Sequence, residues 1–143
     1  MLAQSFMTAD DLEISERQKD ALIKTLVLLE TGKLKHTQRP VDGTYLGENG
    51  KFTGQFNMNQ WRHTYRECGS ICCIGGTAEL IGRVSFAEAS GNLHRLFYPS
   101  ILVASNDWNH ITPAQAARAL RSYLTTGDAR WDLVLCPQVT GHE

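Results

Sequence analysis

Leu22, Ile23, Leu26, Val27 and Leu29 recur at i, i+1, i+4, i+5 and i+7, while Lys19, Asp20 and Lys24 stay off the stripe they draw. That spacing predicts a helix with a broad apolar face. Ser15 followed by Gln18 has the spacing of a capping box, in which each side chain satisfies a free amide of the first turn. Gly32 is placed to end the helix in the left-handed conformation. A second apolar face runs through Cys73, Ile74, Thr77, Ala78 and Ile81, with Cys72, Gly76, Glu79 and Arg83 on another side and Ser70 read as the N-cap. Gly75 and Gly76 inside that helix cost roughly 1 kcal/mol each relative to alanine. The pattern therefore predicts that another segment approaches closely there.

Farther along, "SFAEASGNLHRLFYP" predicts one or two short helices, broken near Ser90–Gly91 and ended by Pro99, with Leu93, Leu96 and Phe97 inward. Residues 98–111 read as a loop containing Trp108. Thr112–Pro113 is a strong helix start, a hydroxyl cap followed by proline at the first position. Ala116, Ala117, Leu120, Tyr123 and Leu124 then face inward, and Gly127 closes the helix. Asp128 is read as the cap of one last turn through Trp131.

Residues 33–60 lack either period. Pro40, Gly43, Gly47, Gly50 and Gly54 interrupt any helix, and Asn49–Gly50 is a two-residue turn signal that offers Tyr45 and Leu46 a hairpin partner in Phe52. The fold expected from the pattern is mainly α: a single domain over residues 1–143, built as a bundle of four or five short helices. Residues 1–10 are expected to be a flexible N-terminus, with either Met1 or Met7 as the start. Residues 33–56 are expected to be an irregular insertion holding at most a β-hairpin.

Composition narrows the class without naming an activity. The 143 residues are 42% hydrophobic and 20% charged, ordinary values for a soluble globular protein. No apolar run reaches the ~18 residues that span a membrane, and the N-terminus lacks the basic and apolar regions of a signal peptide. A cytoplasmic setting follows as the default, and in it the four cysteines are expected to be reduced thiols. A net charge of −1 argues against a protein coated in nucleic acid. Charge is nevertheless uneven: Lys33, Lys35, Arg39, Lys51, Arg62 and Arg66 face only Asp42 and Glu48 between residues 33 and 66.

Candidate chemistry concentrates in "ECGSICCIGG", Glu67 to Gly76. A thiolate gains from a helix N-terminus, so Cys68 and Cys72 are the nucleophile candidates, with His63 as the nearest base and His94 and His110 behind it. Against this stands packing, because free cysteine is among the most buried residue types. Structural zinc needs a second cysteine or histidine pair at close spacing, and Cys68 with Cys72 or Cys73 supplies one pair at best. No metal and no cofactor are expected. A Ser70, His63 and Asp107 combination has no supporting spacing. The basic segment 33–66 interleaves Tyr45, Phe52, Phe56, Trp61 and Tyr65 with its cations, the ingredients of a surface for single-stranded nucleic acid or another polyanion.

"FNMNQW", "CGSICCIGG", "RLFYP" and "ITPAQAARALRSYLTTGDARW" together resemble a group of small bacterial and phage proteins. These carry a Cys-Gly-Thr-x-x-Cys-Ile-Ala-Gly-like phrase and a later Arg-Leu-Phe-x-Pro phrase. The resemblance covers roughly residues 56–131 and places Cys68 and Cys73 on the two cysteines of the phrase. It implies a small helical fold and brings no activity with it. The function expected first is therefore a small binding or interaction protein with a protein partner. A thiol-dependent enzyme using Cys68 or Cys72 with a nearby histidine comes second, and polyanion binding through residues 33–66 third.

Overall fold

The computed structural model describes residues 6–38, 43–47, 50–66, 69–99, 108 and 110–135. Local end signals place its longer helices. The Ser15 hydroxyl accepts from the Gln18 amide at 3.0 Å while Gln18 Oε1 accepts from the Ser15 amide at 2.9 Å, opening α2 (Glu16–Glu30). At its far end Gly32 takes φ 73°, the Lys33 amide donates to Leu28 O at 2.9 Å and the Gly32 amide to Leu29 O at 3.4 Å. Those two bonds make a Schellman motif, which satisfies carbonyls the helix leaves over. Thr112 and Gln115 form the same reciprocal cap on α5 (Pro113–Thr126), and Gly127 ends it at φ 85°. Ahead of α2, Thr8 caps the single turn α1 (Ala9–Leu12). The Met7 amide donates to Leu124 O at 2.8 Å, so the chain is fastened to α5 from Met7 onward.

The helical layer is α2 packed on α3 (Ile74–Gly82) and on α5, with α4 (Gly91–Phe97) and α6 (Trp131–Leu135) against α5. Leu22, Leu26, Ile74, Leu96, Leu120, Tyr123 and Leu124 are fully buried between them. α2 and α3 cross on two small residues: a Cβ added at Gly82 would overlap the Ala21 Cβ. The last helix begins at Trp131 rather than ending there, and Trp131 Nε1 donates to Leu96 O at 3.0 Å. Among the described residues no helix is long and apolar enough to cross a membrane.

The mainly α expectation and the helical bundle are overturned by a sheet. β1 (Lys35–His36), β2 (Tyr45–Gly47), β3 (Gln55–Phe56), β4 (Arg62–Tyr65) and β5 (Gly69–Cys72) form one mixed sheet in the order β1-β3-β5-β4-β2. β1, β3 and β5 run parallel, and β4 is antiparallel to both β5 and β2. The segment read as an irregular insertion supplies three of its strands. Phe52 is not the partner of Tyr45 and Leu46; β2 pairs instead with β4, bringing Tyr45 opposite Tyr65. Residues 48–49 of the expected turn lie outside the described residues. Ser70 caps no helix: it lies in β5, its hydroxyl 3.2 Å from Thr64 Oγ1. Cys73 is the N-cap of α3, and its sulfur accepts from the Gly76 amide at 3.4 Å.

The register sorts the sheet into two faces. His36, Phe56, Cys72 and Arg62 make one row across it, and Lys35, Gln55, Ile71 and His63 the adjacent row. Successive side chains alternate between faces. Phe56 belongs to the main core and Arg62 reaches Glu79 of α3, so the first row faces the helices and the second faces away.

One surface contact gives a pH-dependent handle. Arg121 on α5 donates to both Glu30 carboxylate oxygens, at 2.6 and 2.7 Å, and stands 5.7 Å over the Phe6 ring. That hydrogen bond, more than the charge attraction beside it, holds the Glu30 carboxyl below its ordinary 4.5. A depressed carboxyl stabilises the fold above its unfolded pKa, and the contribution disappears as pH falls through the folded value. The pair is over a third exposed, so about 0.5 kcal/mol is expected. In urea unfolding, the gap in stability between the parent and Arg121→Met should narrow between about pH 6 and about pH 3. A gap of constant size across that range contradicts the assignment.

Candidate functional site

Only Cys73 separates the end of β5 from the start of α3, so the sheet reaches the helices at this corner. Trp61, the residue before β4, fills it. Its carbonyl accepts from the Cys73 amide at 3.4 Å and lies directly on Gly76. A Cβ at Gly76 would overlap that oxygen, and a Cβ at Gly75 would overlap the indole. The two glycines therefore form a notch in α3 shaped to one tryptophan.

Past the notch, on the next turn of α3, comes Glu79, 8% exposed. Its Oε1 accepts from Trp61 Nε1 at 2.9 Å, with Arg62 Nε at 3.5 Å, and its Oε2 accepts from the Phe86 amide at 2.7 Å. One carboxylate thus ties the β3–β4 connection, β4 and the loop after α3 to the helix. A buried carboxylate is tolerable only with such partners. The indole meets Phe97 edge-on at 5.4 Å and runs parallel to Tyr98, with centroids 5.9 Å apart and planes 7° apart. His94 lies against Tyr98 at 4.6 Å.

Between these groups opens a cleft of ≈580 Å³ whose chemistry comes from Trp61, Arg62, Glu79, Phe86, His94 and Tyr98. Tyr98 exposes 40% of its surface, and His94 is exposed beside it. The cleft offers an aromatic face, guanidinium donors and a carboxylate acceptor side by side. Ser85, at its edge, uses its hydroxyl oxygen to accept from the Ala87 amide at 3.1 Å.

The residues singled out in the sequence are dispersed by comparison. Cys68 lies outside the described residues, as do Arg39, Asp107 and Cys136. Cys72 is 1% exposed, and burial first, then the neighbouring Cys73, pushes its thiol up to about 12. Burial does the same to Cys73, also to about 12. A thiol at that value leaves only about one molecule in 10⁵ as thiolate at neutral pH. His63 pairs with Ile71 rather than Cys72, so alternation turns its ring to the opposite face of the sheet. Cys72 and His63 therefore do not form a nucleophile and base, and Ser70 is separated from His63 in the same way. His110 is exposed in the segment ahead of α5. Among the described residues no three His, Cys, Asp or Glu side chains are grouped to hold a metal ion.

Glu79 and Tyr98 were not candidates on sequence grounds, and Trp61 was one only as an aromatic of the basic segment 33–66. The signal that points to them is an acid in an otherwise apolar helix, one turn beyond a glycine pair, with a tryptophan upstream. No family model, curated protein or solved structure matches the chain.

The state of the two described thiols is directly measurable. In a Cys68→Ser, Cys136→Ser background, iodoacetamide at neutral pH should label Cys72 and Cys73 only as the protein unfolds, because each thiol sits near 12. Labelling of either in the native protein at the rate of a free thiol such as glutathione contradicts the burial.

Proposed function

We propose that the protein is a small binding or interaction module that recognises a neutral, planar, hydrogen-bonding group in the Trp61–Tyr98 cleft. The fitting chemistry is an amide or a nitrogen heteroaromatic ring, carried by a free ligand or by a partner protein. The observation that carries this reading is the Arg62–Glu79 pair at 3.5 Å, set beside the exposed ring of Tyr98. The pair has no net charge but presents donors and an acceptor together. A charged ligand of either sign meets a like charge at contact, whereas a neutral group with both donor and acceptor uses each side. The ring supplies a stacking face, and a stacked aromatic is worth about 1–3 kcal/mol.

Burial supports binding over thiol chemistry. With Cys72 and Cys73 inert, the thiol-enzyme alternative rests on Cys68 alone. Both described cysteines are free thiols, which suits a reducing, cytoplasmic compartment.

Nicotinamide, benzoate and benzamidine test the cleft as neutral, anionic and cationic probes of similar size. Nicotinamide should shift the Trp61 indole N–H resonance, and Tyr98→Ala should weaken that binding about tenfold, equivalent to ~1.4 kcal/mol of lost stacking. No shift at millimolar nicotinamide, tighter binding of either charged probe, or an unaffected Tyr98→Ala variant contradicts the reading.

A further inference from the structure

A second cleft, of ≈430 Å³, opens where α1, α4 and α5 meet, and Ala89 is the residue it shares with the Trp61–Tyr98 cleft. Its floor is apolar, with Leu12 and Leu93 both buried. Its rim carries three exposed carboxylates, Asp11, Glu13 and Glu88. Among the described residues no lysine, arginine or histidine lines it, and none of the three carboxylates enters an ion pair. The cleft therefore holds negative charge over an apolar base with nothing of its own to answer that charge.

Tyr123 of α5 makes a second, independent demand. It is 1% exposed and packed in the core, and its hydroxyl end meets the cleft beside Leu12 and Glu13. The hydroxyl faces Leu12 O at 3.5 Å, the outer limit of a hydrogen bond and well beyond the ~2.7–2.8 Å of a good O–H···O contact. Among the described residues neither that hydroxyl nor Leu12 O has a closer partner. Burial first, and then the Glu13 carboxylate, push the phenol up to about 12, so it stays protonated at neutral pH. A buried hydroxyl and carbonyl left this far apart are costly, and a donor inserted between them recovers the loss.

We infer that this cleft binds a small aliphatic diamine through its two ammonium groups. An ammonium carries three donors and no acceptor. One such group can give its protons to Tyr123 Oη, Leu12 O and the Glu13 carboxylate together. The methylene chain then covers the Leu12–Leu93 floor, and the second ammonium answers the remaining carboxylates of the rim. A compact metal ion fits less well, because the three carboxylates are not grouped to converge on one point. An anion meets like charge at the rim, and a neutral ligand leaves that charge unanswered. The inference does not depend on the ligand of the Trp61–Tyr98 cleft.

The full chain is titrated with 1,4-diaminobutane at low salt and followed by calorimetry, with butane-1,4-diol and magnesium chloride as the neutral and the compact-cation probes. The diamine should bind at least about tenfold more tightly than either, as charge-assisted hydrogen bonds imply. Glu13→Gln, which changes an exposed side chain, should weaken diamine binding about tenfold without moving the thermal midpoint. Tyr123→Phe, which removes only the hydroxyl, should weaken it about fivefold. The inference is overturned by no heat of binding at millimolar diamine, by equal or tighter binding of the diol or of magnesium, or by either variant binding like the parent.

Discussion

Trp61 seated in the Gly75–Gly76 notch is the contact on which the two halves of this fold depend. The sheet is small, with strands of two to four residues, and a sheet of that size has little stability of its own. Phe56 and Met58 join it to the shared core, and its polar and backbone ties to α3 meet at one corner. There the Trp61 carbonyl rests on Gly76, its indole rests on Gly75, and its N–H ends on Glu79. The same carboxylate fixes the loop after α3 through the Phe86 amide, and that loop leads to α4, which carries Phe97 and Tyr98. Sheet position, loop position and the aromatic wall of the cleft are therefore set by the same few atoms.

This arrangement accounts for costs that local propensity alone leaves unexplained. Two glycines in a nine-residue helix are unfavourable, and so is a buried acid. Both become necessary once a tryptophan must cross the helix at backbone contact and find an acceptor for its N–H. The notch also fixes the functional geography. Arg62 follows Trp61 and is drawn to the helix side, so alternation sends His63 to the other face with Tyr45 and Tyr65. The cleft and the placing of His63 on the opposite face are two consequences of one docking.

Much of the helical layer was legible because helix ends are local. Ser15 with Gln18, Thr112 with Pro113, and Gly32 and Gly127 each act within a few residues, and each is where the spacing places it. The close approach at Gly75 and Gly76 was legible for a similar reason, since a cost without a local benefit implies a distant one. The sheet was not. Lys35 pairs with Gln55, and Gln55 with Ile71, across separations that no window of periodicity spans. Strands of two residues cannot alternate long enough to declare a period. Ser70 misled because a serine before an apolar run reads as a cap, whereas the run begins as β5 and the cap falls to a cysteine, a weak acceptor that sequence rules do not favour. Cys72 changed surroundings with that shift: on the expected helix it shared a polar face with Glu79, and on the strand it is buried behind Arg62.

The decisive measurement is a double-mutant cycle between Trp61 and Glu79, using Trp61→Phe, Glu79→Leu and the pair in equilibrium unfolding. If the indole–carboxylate contact joins sheet to helices, the two substitutions share one interaction. The pair should then cost less than the sum of the singles by about 1 kcal/mol or more. Costs that add to within about 0.3 kcal/mol would show two independent sites and contradict the account.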